Sequence, residues 1–282
     1  MKPGIYTDIS NEAYHAGPGL SNSALSMLHK SPAHYHAAYL APGRPQRKAT
    51  AAMNAGTLTH CAVLERHALA DRYWVKPEGL DLRTNAGKQM AQEAAMRGLI
   101  PVSADEMTTA LTQRAALLEI PEIAEILSRG VSESSAYWID AITGVLCKCR
   151  PDHAAPVDSE SVVLLDVKTT ADPMPEPFSR SIHTFGYHRQ AAMYSRGYEQ
   201  ATGKRVSAFV FAVVSSAYPF IAVPYVLDDE TMAQGADEVD ELMALYARCQ
   251  AANEWPAFGP GYQLIGLPKW ARVSQEIEVS FA

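Results

Sequence analysis

The first half of the chain alternates turn signals with amphipathic segments, a pattern typical of helices joined by short loops. A Ser-Asn-Ser cluster that begins at Ser21 supplies an N-cap and predicts a short helix there. Apolar residues then recur at helical spacing over 51–67, 85–97 and 104–118. These segments predict three further helices.

The pattern changes to strands in the second half of the chain. Residues 135–140 and 145–150 flank an Ala-Ile-Thr-Gly turn, which predicts a β-hairpin, and residues 161–168 form an apolar strand that ends in charge. The later elements are a proline-rich connection over 171–177, a helix over about 184–200, a strand pair within 206–227 and an acidic helix near 229–251.

This order of elements predicts a single α/β or α+β domain with a mixed sheet, and we favour an α/β fold whose mixed central sheet is flanked by helices. We divide it into an N-terminal helical arm over 1–50, a core over 51–227, and an acidic C-terminal helix and tail over 228–282. No internal repeat and no long low-complexity linker interrupts the chain.

The stretch from Val206 to Leu227 contains no charged residue and is long enough to span a bilayer. Pro219 and Pro224 interrupt it, however, and β-branched and aromatic residues dominate it, which favours the two strands of a hairpin. Residues 1–20 show no charged-then-apolar leader. We therefore expect a cytoplasmic protein without membrane association.

Charge is distributed unevenly along the 282 residues, whose net charge of −7 comes from 24 Lys and Arg against 31 Asp and Glu. With 48% hydrophobic residues, the composition excludes a disordered chain. The net charge argues against a generic cationic nucleic-acid binder. Residues 226–282 hold 10 acids and 3 bases, however, and so account for the entire net charge, whereas residues 1–50 are mildly positive. Net charge therefore does not select the substrate.

Four cysteines, at positions 61, 147, 149 and 249, are too few and too scattered for a disulfide scaffold. Since no two of them form a CxxC pair, we expect buried thiols rather than a structural zinc site.

The most informative chemistry lies at Pro151-Asp152 and at Asp166-Val167-Lys168. In a strand, Asp166 and Lys168 project to one face while Val167 turns into the core. Two carboxylates that converge beside a lysine suit a Mg²⁺ site with a charge stabiliser next to it. The alternative is a solvated strand end with a weak ion pair.

Two helical spacings add to this constellation. Gly56 precedes His60 by one turn on the predicted helix 51–67, and Gln190 precedes Tyr194 by one turn on the helix after the Asp-Val-Lys strand. Residues four apart share a helical face. The alternatives are an ordinary surface or core histidine and an ordinary amphipathic helix.

The order Gly-xxx-His, Pro-Asp, Asp-x-Lys, Gln-xxx-Tyr resembles the RecB-like branch of the PD-(D/E)XK nuclease superfamily. The opening Leu-Ser-Asn-Ser-Ala-Leu at 20–25 and Lys-Ser-Pro-Ala-His-Tyr at 30–35 resemble RecE-type phage exonucleases, the exonuclease VIII family. The segments 143–152 and 267–271 fit the same family. The resemblance covers nearly the whole chain and implies a restriction-endonuclease-like core.

The resemblance also implies roles for individual residues. Lys168 would orient the attacking water or stabilise charge on the phosphate, Gln190 and Tyr194 would position the DNA backbone, and Glu133 is a candidate additional acid. A divalent metal, Mg²⁺ with Mn²⁺ as a substitute, would be held by His60, Asp152, Asp166 and the Val167 carbonyl. Because Cys249 is the single cysteine near the C-terminal end, we expect no iron–sulfur cluster.

The activity implied by the resemblance is degradation of linear double-stranded DNA from its ends, in the 5′→3′ direction, to give single-stranded tails for phage recombination. The implied assembly is a ring-like homo-oligomer, such as a tetramer, that works with a single-strand annealing recombinase in a bacterial host. No ATP-binding P-loop is present, because Gly87-Lys88 is followed by Gln89 and lacks the earlier glycine. The alternatives are a RecB-like endonuclease or processing nuclease in a larger complex, and a non-catalytic DNA-binding protein on the same fold.

Overall fold

The computed structural model describes residues 1–44, 50–259 and 261–268. The end of the segment 267–271 and the acidic tail beyond residue 268 lie outside the described residues. The strands are β1 (Gly4–Tyr6), β2 (Tyr73–Val75), β3 (Ile100–Val102), β4 (Val131–Ser132), β5 (Ser135–Ile139), β6 (Leu146–Cys149), β7 (His153–Pro156), β8 (Ser161–Thr170), β9 (Arg205–Ser215) and β10 (Ala222–Val226).

Helices occupy most of the remaining described chain. They are α1 (Asn11–Ala16), α2 (Asn22–Lys30), α3 (Pro32–Tyr35), α4 (Ala51–Leu64), α5 (Leu69–Arg72), α6 (Asn85–Met96), α7 (Ala104–Leu118), α8 (Pro121–Leu127), α9 (Pro175–Phe185), α10 (Tyr187–Thr202) and α11 (Asp229–Ala252), with a π-helical turn at His36–Leu40 and a 3₁₀ turn at Arg66–Ala68. None of the described helices is long and apolar enough to cross a bilayer.

The central sheet has five strands in the order β10-β9-β8-β7-β4, and β8 lies at its middle. Strands β8 and β9 run parallel, whereas the other neighbours run antiparallel, so the sheet is mixed. One face packs on Phe178 of α9 and Ala191 of α10, and the other on Leu117 of α7 and Ile123 of α8. The predicted mixed sheet flanked by helices is confirmed.

The predicted hairpin over 135–150 forms as β5 and β6, but it lies outside the central sheet. With β1 it makes a separate three-stranded sheet, which α2, α10 and α11 cover. The chain crosses from this sheet to the central one at residues 150–152, where Pro151 lacks the N–H that would continue the ladder. This hairpin therefore adds no strand to the central mixed sheet.

A correction concerns the proline-rich connection expected over 171–177, which is partly helical, whereas the helix expected over about 184–200 forms as α10. Helix α9 already begins at Pro175, inside the stretch expected to be a proline-rich loop, because proline is tolerated in the first turn of a helix. Gly186 (φ 68°) then ends α9 in the left-handed conformation that glycine adopts readily, and α10 begins at Tyr187.

The other predicted elements form with small shifts of their ends. The helix expected over 51–67 ends at Leu64, the strand expected over 161–168 continues to Thr170, and the 206–227 stretch is the hairpin of β9 and β10. Strands β1, β2, β3, β4 and β7 have only two to four residues each and were not predicted.

The N-terminal segment is tied to the small sheet by two buried basic side chains, Lys148 on β6 and Arg150 in the chain crossing. Lys148 Nζ donates to the Tyr14 and Gly17 carbonyls at 2.6 Å each, and the Arg150 guanidinium donates to the Ile9 carbonyl at 2.8 Å. Both cations also lie over the Tyr14 ring. Helix α1 thereby packs beside the crossing that carries Asp152.

Helix α10 packs closely on the small sheet at Gly197. A Cβ at Gly197 would lie 2.4 Å from the indole of Trp138, whereas a Cβ at Gly56 on α4 would meet nothing closer than Thr169 Oγ1 at 3.5 Å. We expect Gly197→Ala to lower the free energy of unfolding by about 1–3 kcal/mol through overpacking. Gly56→Ala should raise it by up to about 1 kcal/mol through helix propensity.

Urea denaturation of both variants checks this prediction. A Gly197→Ala protein as stable as the Gly56→Ala protein would show that α10 has more room over Trp138 than the packing indicates.

Candidate active site

The pairing of β7 with β8 brings two acidic residues together. His153 is opposite Leu165 in this antiparallel ladder, so the next residues outward, Asp152 and Asp166, meet at the end of the pairing. Both side chains are buried. The chain-crossing aspartate and the strand aspartate that the sequence singled out thus lie side by side.

Asp152 is fixed by the backbone of β8. Its Oδ2 accepts a hydrogen bond from the Val167 N–H at 2.7 Å, and His60 Nδ1 on α4 lies 3.3 Å from the same oxygen. The N–H and C=O groups of a strand residue point to the same edge, so the Val167 carbonyl also faces Asp152 and His60. Three of the predicted metal ligands, His60, Asp152 and Val167, therefore meet at one place.

Asp166, Lys168 and Gln190 form a closed polar network. Gln190 Nε2 donates to Asp166 Oδ1 at 2.6 Å, and Lys168 Nζ donates to Gln190 Oε1 at 3.0 Å. Lys168 Nζ also lies 2.5 Å from Asp166 Oδ2 as an ion pair. The predicted alternation along β8 is confirmed, because Asp166 and Lys168 share a face while the Val167 side chain is buried in the core. Gln190 contacts both charged groups, and its contact with DNA stays a prediction.

The electrostatics of the site reflect burial and excess negative charge. Burial, and next the Asp166 carboxylate, raise the pKa of Asp152 well above its usual value. Burial lowers the pKa of His60, which favours the neutral imidazole that binds metals. For Lys168, burial alone would lower the pKa, but the carboxylates of Asp166 and Asp152 outweigh it and raise that pKa.

Glu133 is a further acid at the site, which the sequence suggested only as a candidate. It follows β4 in a left-handed backbone conformation (φ 56°), and its N–H donates to the Asp152 carbonyl at 3.0 Å. Burial, and next the Asp152 carboxylate, raise the pKa of Glu133 to about 7. The Arg150 guanidinium lies 4.0 Å from its carboxylate. Sequence reasoning assigned no role to Arg150, although it directly precedes Pro151-Asp152.

Tyrosines complete the surroundings of the acids. Tyr194 is partly buried and packs edge-on against Phe209, and burial raises its phenol pKa well above the usual value, with smaller contributions from charges that include Asp166 and Asp152. Its predicted DNA contact remains untested. Sequence reasoning missed Tyr187, whose ring centroid lies 4.5 Å from Lys168 Nζ in a cation–π contact.

The donor set suits a hard divalent cation. Within the described ranges, no three His, Cys, Asp or Glu side chains are already grouped as metal ligands. Lys168 and the Val167 N–H contact oxygens that a cation would use. Among the described residues, Lys168 is the one Lys or Arg that pairs with either of the two buried carboxylates of Asp166 and Asp152, and the pKa of Asp152 stays raised beside it. A bound cation would stabilise the ionised form of both carboxylates, so the residues fit a metal.

The chain belongs to a family of PD-(D/E)XK type. Residues 21–261 match the family described as "PDDEXK-like domain of unknown function (DUF3799)". The restriction-endonuclease-like core predicted from the motifs is thereby confirmed, and the match supports a nuclease. Nucleases of this superfamily generally use divalent metal ions. The closer resemblance to RecE-type exonucleases stays a prediction.

The fold is similar to that of the "Putative exonuclease" from Eubacterium rectale, with a TM-score of 0.58 and 15% sequence identity over 88% of each chain. A second solved structure, SSO0001, aligns at 13% identity over 67% of this chain and 86% of that one, with a TM-score of 0.30 that is too low for a fold comparison. No curated protein matches the chain in sequence.

The raised pKa of Glu133 predicts a pH-dependent cost to stability in metal-free protein. The folded state holds a proton on Glu133 up to about pH 7, whereas the unfolded chain releases it near the ordinary pKa of 4.5, so stability falls as pH rises between these values and the full cost is present above pH 7. We expect Glu133→Gln to raise the free energy of unfolding by about 1–3 kcal/mol at pH 8 and by far less at pH 5.

Denaturation in the presence of EDTA at the two pH values measures this difference. Glu241→Gln, an exposed change on α11, is the matched control and should have little effect at either pH. A Glu133→Gln effect of equal size at pH 5 and pH 8 would contradict the assigned shift.

Proposed function

We propose that this protein is a divalent-metal-dependent deoxyribonuclease that degrades linear double-stranded DNA from its ends. The observation that carries the proposal is the convergence of Asp152, Asp166 and Lys168 at the end of the β7–β8 pairing, with His60 on Asp152. Family membership supports the nuclease part of the proposal. The exonuclease part rests on the motif resemblance.

Hydrolysis of a phosphodiester places negative charge on its non-bridging oxygens in the transition state. Lys168 suits that charge, because its raised pKa keeps the ammonium protonated and Gln190 and Tyr187 fix its position. A protonated lysine stabilises charge or orients water, but it does not remove a proton from water. Lys168 is therefore the electrostatic group of the reaction.

Asp152, Asp166, His60 and the Val167 carbonyl would hold the metal, and Mg²⁺ is the ion that carboxylate-rich sites of this kind take, with Mn²⁺ as a substitute. When bound, such an ion polarises a phosphoryl oxygen and makes its bound water a stronger nucleophile at neutral pH. Gln190 keeps the Asp166 carboxylate oriented through its 2.6 Å hydrogen bond. Burial of both aspartates limits competing contacts with water.

The wider role that we propose rests on the resemblance to RecE-type exonucleases. The enzyme would act without ATP, in the 5′→3′ direction, and leave single-stranded tails for a single-strand annealing recombinase. It would assemble as a ring-like homo-oligomer such as a tetramer, and act in the cytoplasm of a bacterial host that carries a phage or prophage. An endonuclease within a larger complex, or a DNA-binding protein without catalysis, are the rival outcomes of the test below.

Purified protein with Mg²⁺ should degrade linear duplex DNA and leave closed circular duplex intact. Asp166→Ala and Lys168→Ala should each lower the rate by about 100-fold or more, since each removes a group that stabilises the transition state. Asp237→Asn, an exposed change on α11, is the control and should retain the wild-type rate.

Gel electrophoresis of the two substrates separates the rival functions. Equal cutting of circular DNA would favour the endonuclease. If linear DNA stays intact with both Mg²⁺ and Mn²⁺, the proposed nuclease activity is contradicted.

A further inference from the structure

An aromatic surface leads outward from the catalytic lysine. Lys168 Nζ lies 4.5 Å from the Tyr187 ring centroid, and the Tyr187 ring lies 5.6 Å from the ring of Phe185. The distance from Lys168 Nζ to the Phe185 ring centroid is therefore at most the sum of these two distances. Its side chain is nevertheless 59% exposed, although Phe is a residue that usually packs inside.

The turn between α9 and α10 holds these two rings in place. Phe185 is the last residue of α9 and Tyr187 the first of α10, with the left-handed Gly186 between them. The Arg189 guanidinium lies so close over Gly186 that a Cβ there would be 2.2 Å from it. The turn is thus confined by packing as well as by its backbone conformation.

The inner ring of the pair is anchored in the core. Tyr187 packs against Phe178 at 6.0 Å and against Phe211 at 5.7 Å between ring centroids. Phe185 packs against this anchored ring at an interplanar angle of 31° and is open to solvent on its remaining surface. A solvent-exposed aromatic ring near a cationic group that handles phosphate is the arrangement by which proteins stack unpaired bases.

We propose that Phe185 is a stacking surface for an unpaired nucleobase close to the phosphodiester that is cleaved. This inference rests on the proposed nuclease function and narrows its substrate class to DNA strands whose bases near the cut are not paired. Bases inside a duplex already have both faces covered, so only a frayed end or a single strand offers a free face. Along one strand the rise is about 3.4 Å per base, so the ring lies within about three nucleotides of Lys168.

Steady-state kinetics on two linear duplexes test this inference, one with paired ends and one with mismatched terminal base pairs. Wild-type protein should have a lower KM for the mismatched ends. Phe185→Ala should raise that KM by about 5- to 100-fold, the range expected when one base–aromatic stack is lost. The change in kcat should be smaller, and the preference for mismatched ends should disappear.

Two further variants separate stacking from a structural effect. Phe185→Tyr keeps an aromatic ring and should retain both the wild-type KM and the preference. Phe258→Ala removes another exposed ring, 74% exposed in the segment after α11, and should change neither. A 2-aminopurine base walked along the end of the strand should change fluorescence on binding in a way that Phe185→Ala abolishes.

These experiments distinguish a failure of the stacking proposal from a failure of the proposed nuclease function. If wild-type protein cuts DNA but Phe185→Ala has the wild-type KM on both duplexes, the stacking surface is refuted and the nuclease stands. If that variant instead alters the sedimentation of the protein, the ring belongs to an interface between copies, which also refutes stacking. If wild-type protein cuts no DNA, both proposals fall.

Discussion

Two carboxylates that repel each other are held side by side by the antiparallel pairing of β7 with β8. The ladder ends with His153 opposite Leu165. Beyond that pair, the Val167 N–H of β8 donates a hydrogen bond to the Asp152 side chain and holds it beside the strand. Burial strengthens the repulsion between the carboxylates because the protein interior screens charge less than water does. Burial itself, and next the Asp166 carboxylate, therefore raise the pKa of Asp152 well above its usual value.

Side chains from several different elements contact these two carboxylates. Lys168 on β8 pairs with Asp166, His60 on α4 approaches Asp152, and Gln190 on α10 bridges the acid and the lysine. Arg150 in the chain crossing lies near Glu133. The central sheet, two helices and the crossing between the sheets therefore converge on one small volume. The fold thus brings the separate PD-(D/E)XK motifs of the sequence together into one candidate active site.

The parts that could be predicted were those whose geometry is local. Asp166 and Lys168 share a face because residues two apart in any strand do so, and helix α11 follows from a long amphipathic pattern. Strand β7 was missed because His-Ala-Ala-Pro has little strand propensity, and its pairing with β8 forms it. Helix α9 was missed because Pro175 and Pro177 in its first turn indicate a loop in the sequence, although proline is tolerated there.

Anomalous diffraction from crystals soaked with Mn²⁺ tests the central claim most directly, since it locates a cation independently of activity. The account predicts a peak in contact with Asp152, Asp166, His60 and the Val167 carbonyl, which an Asp152→Asn, Asp166→Asn double variant should lose. Mn²⁺ bound only elsewhere on the protein, or no peak near Asp152 at saturating Mn²⁺, would contradict it.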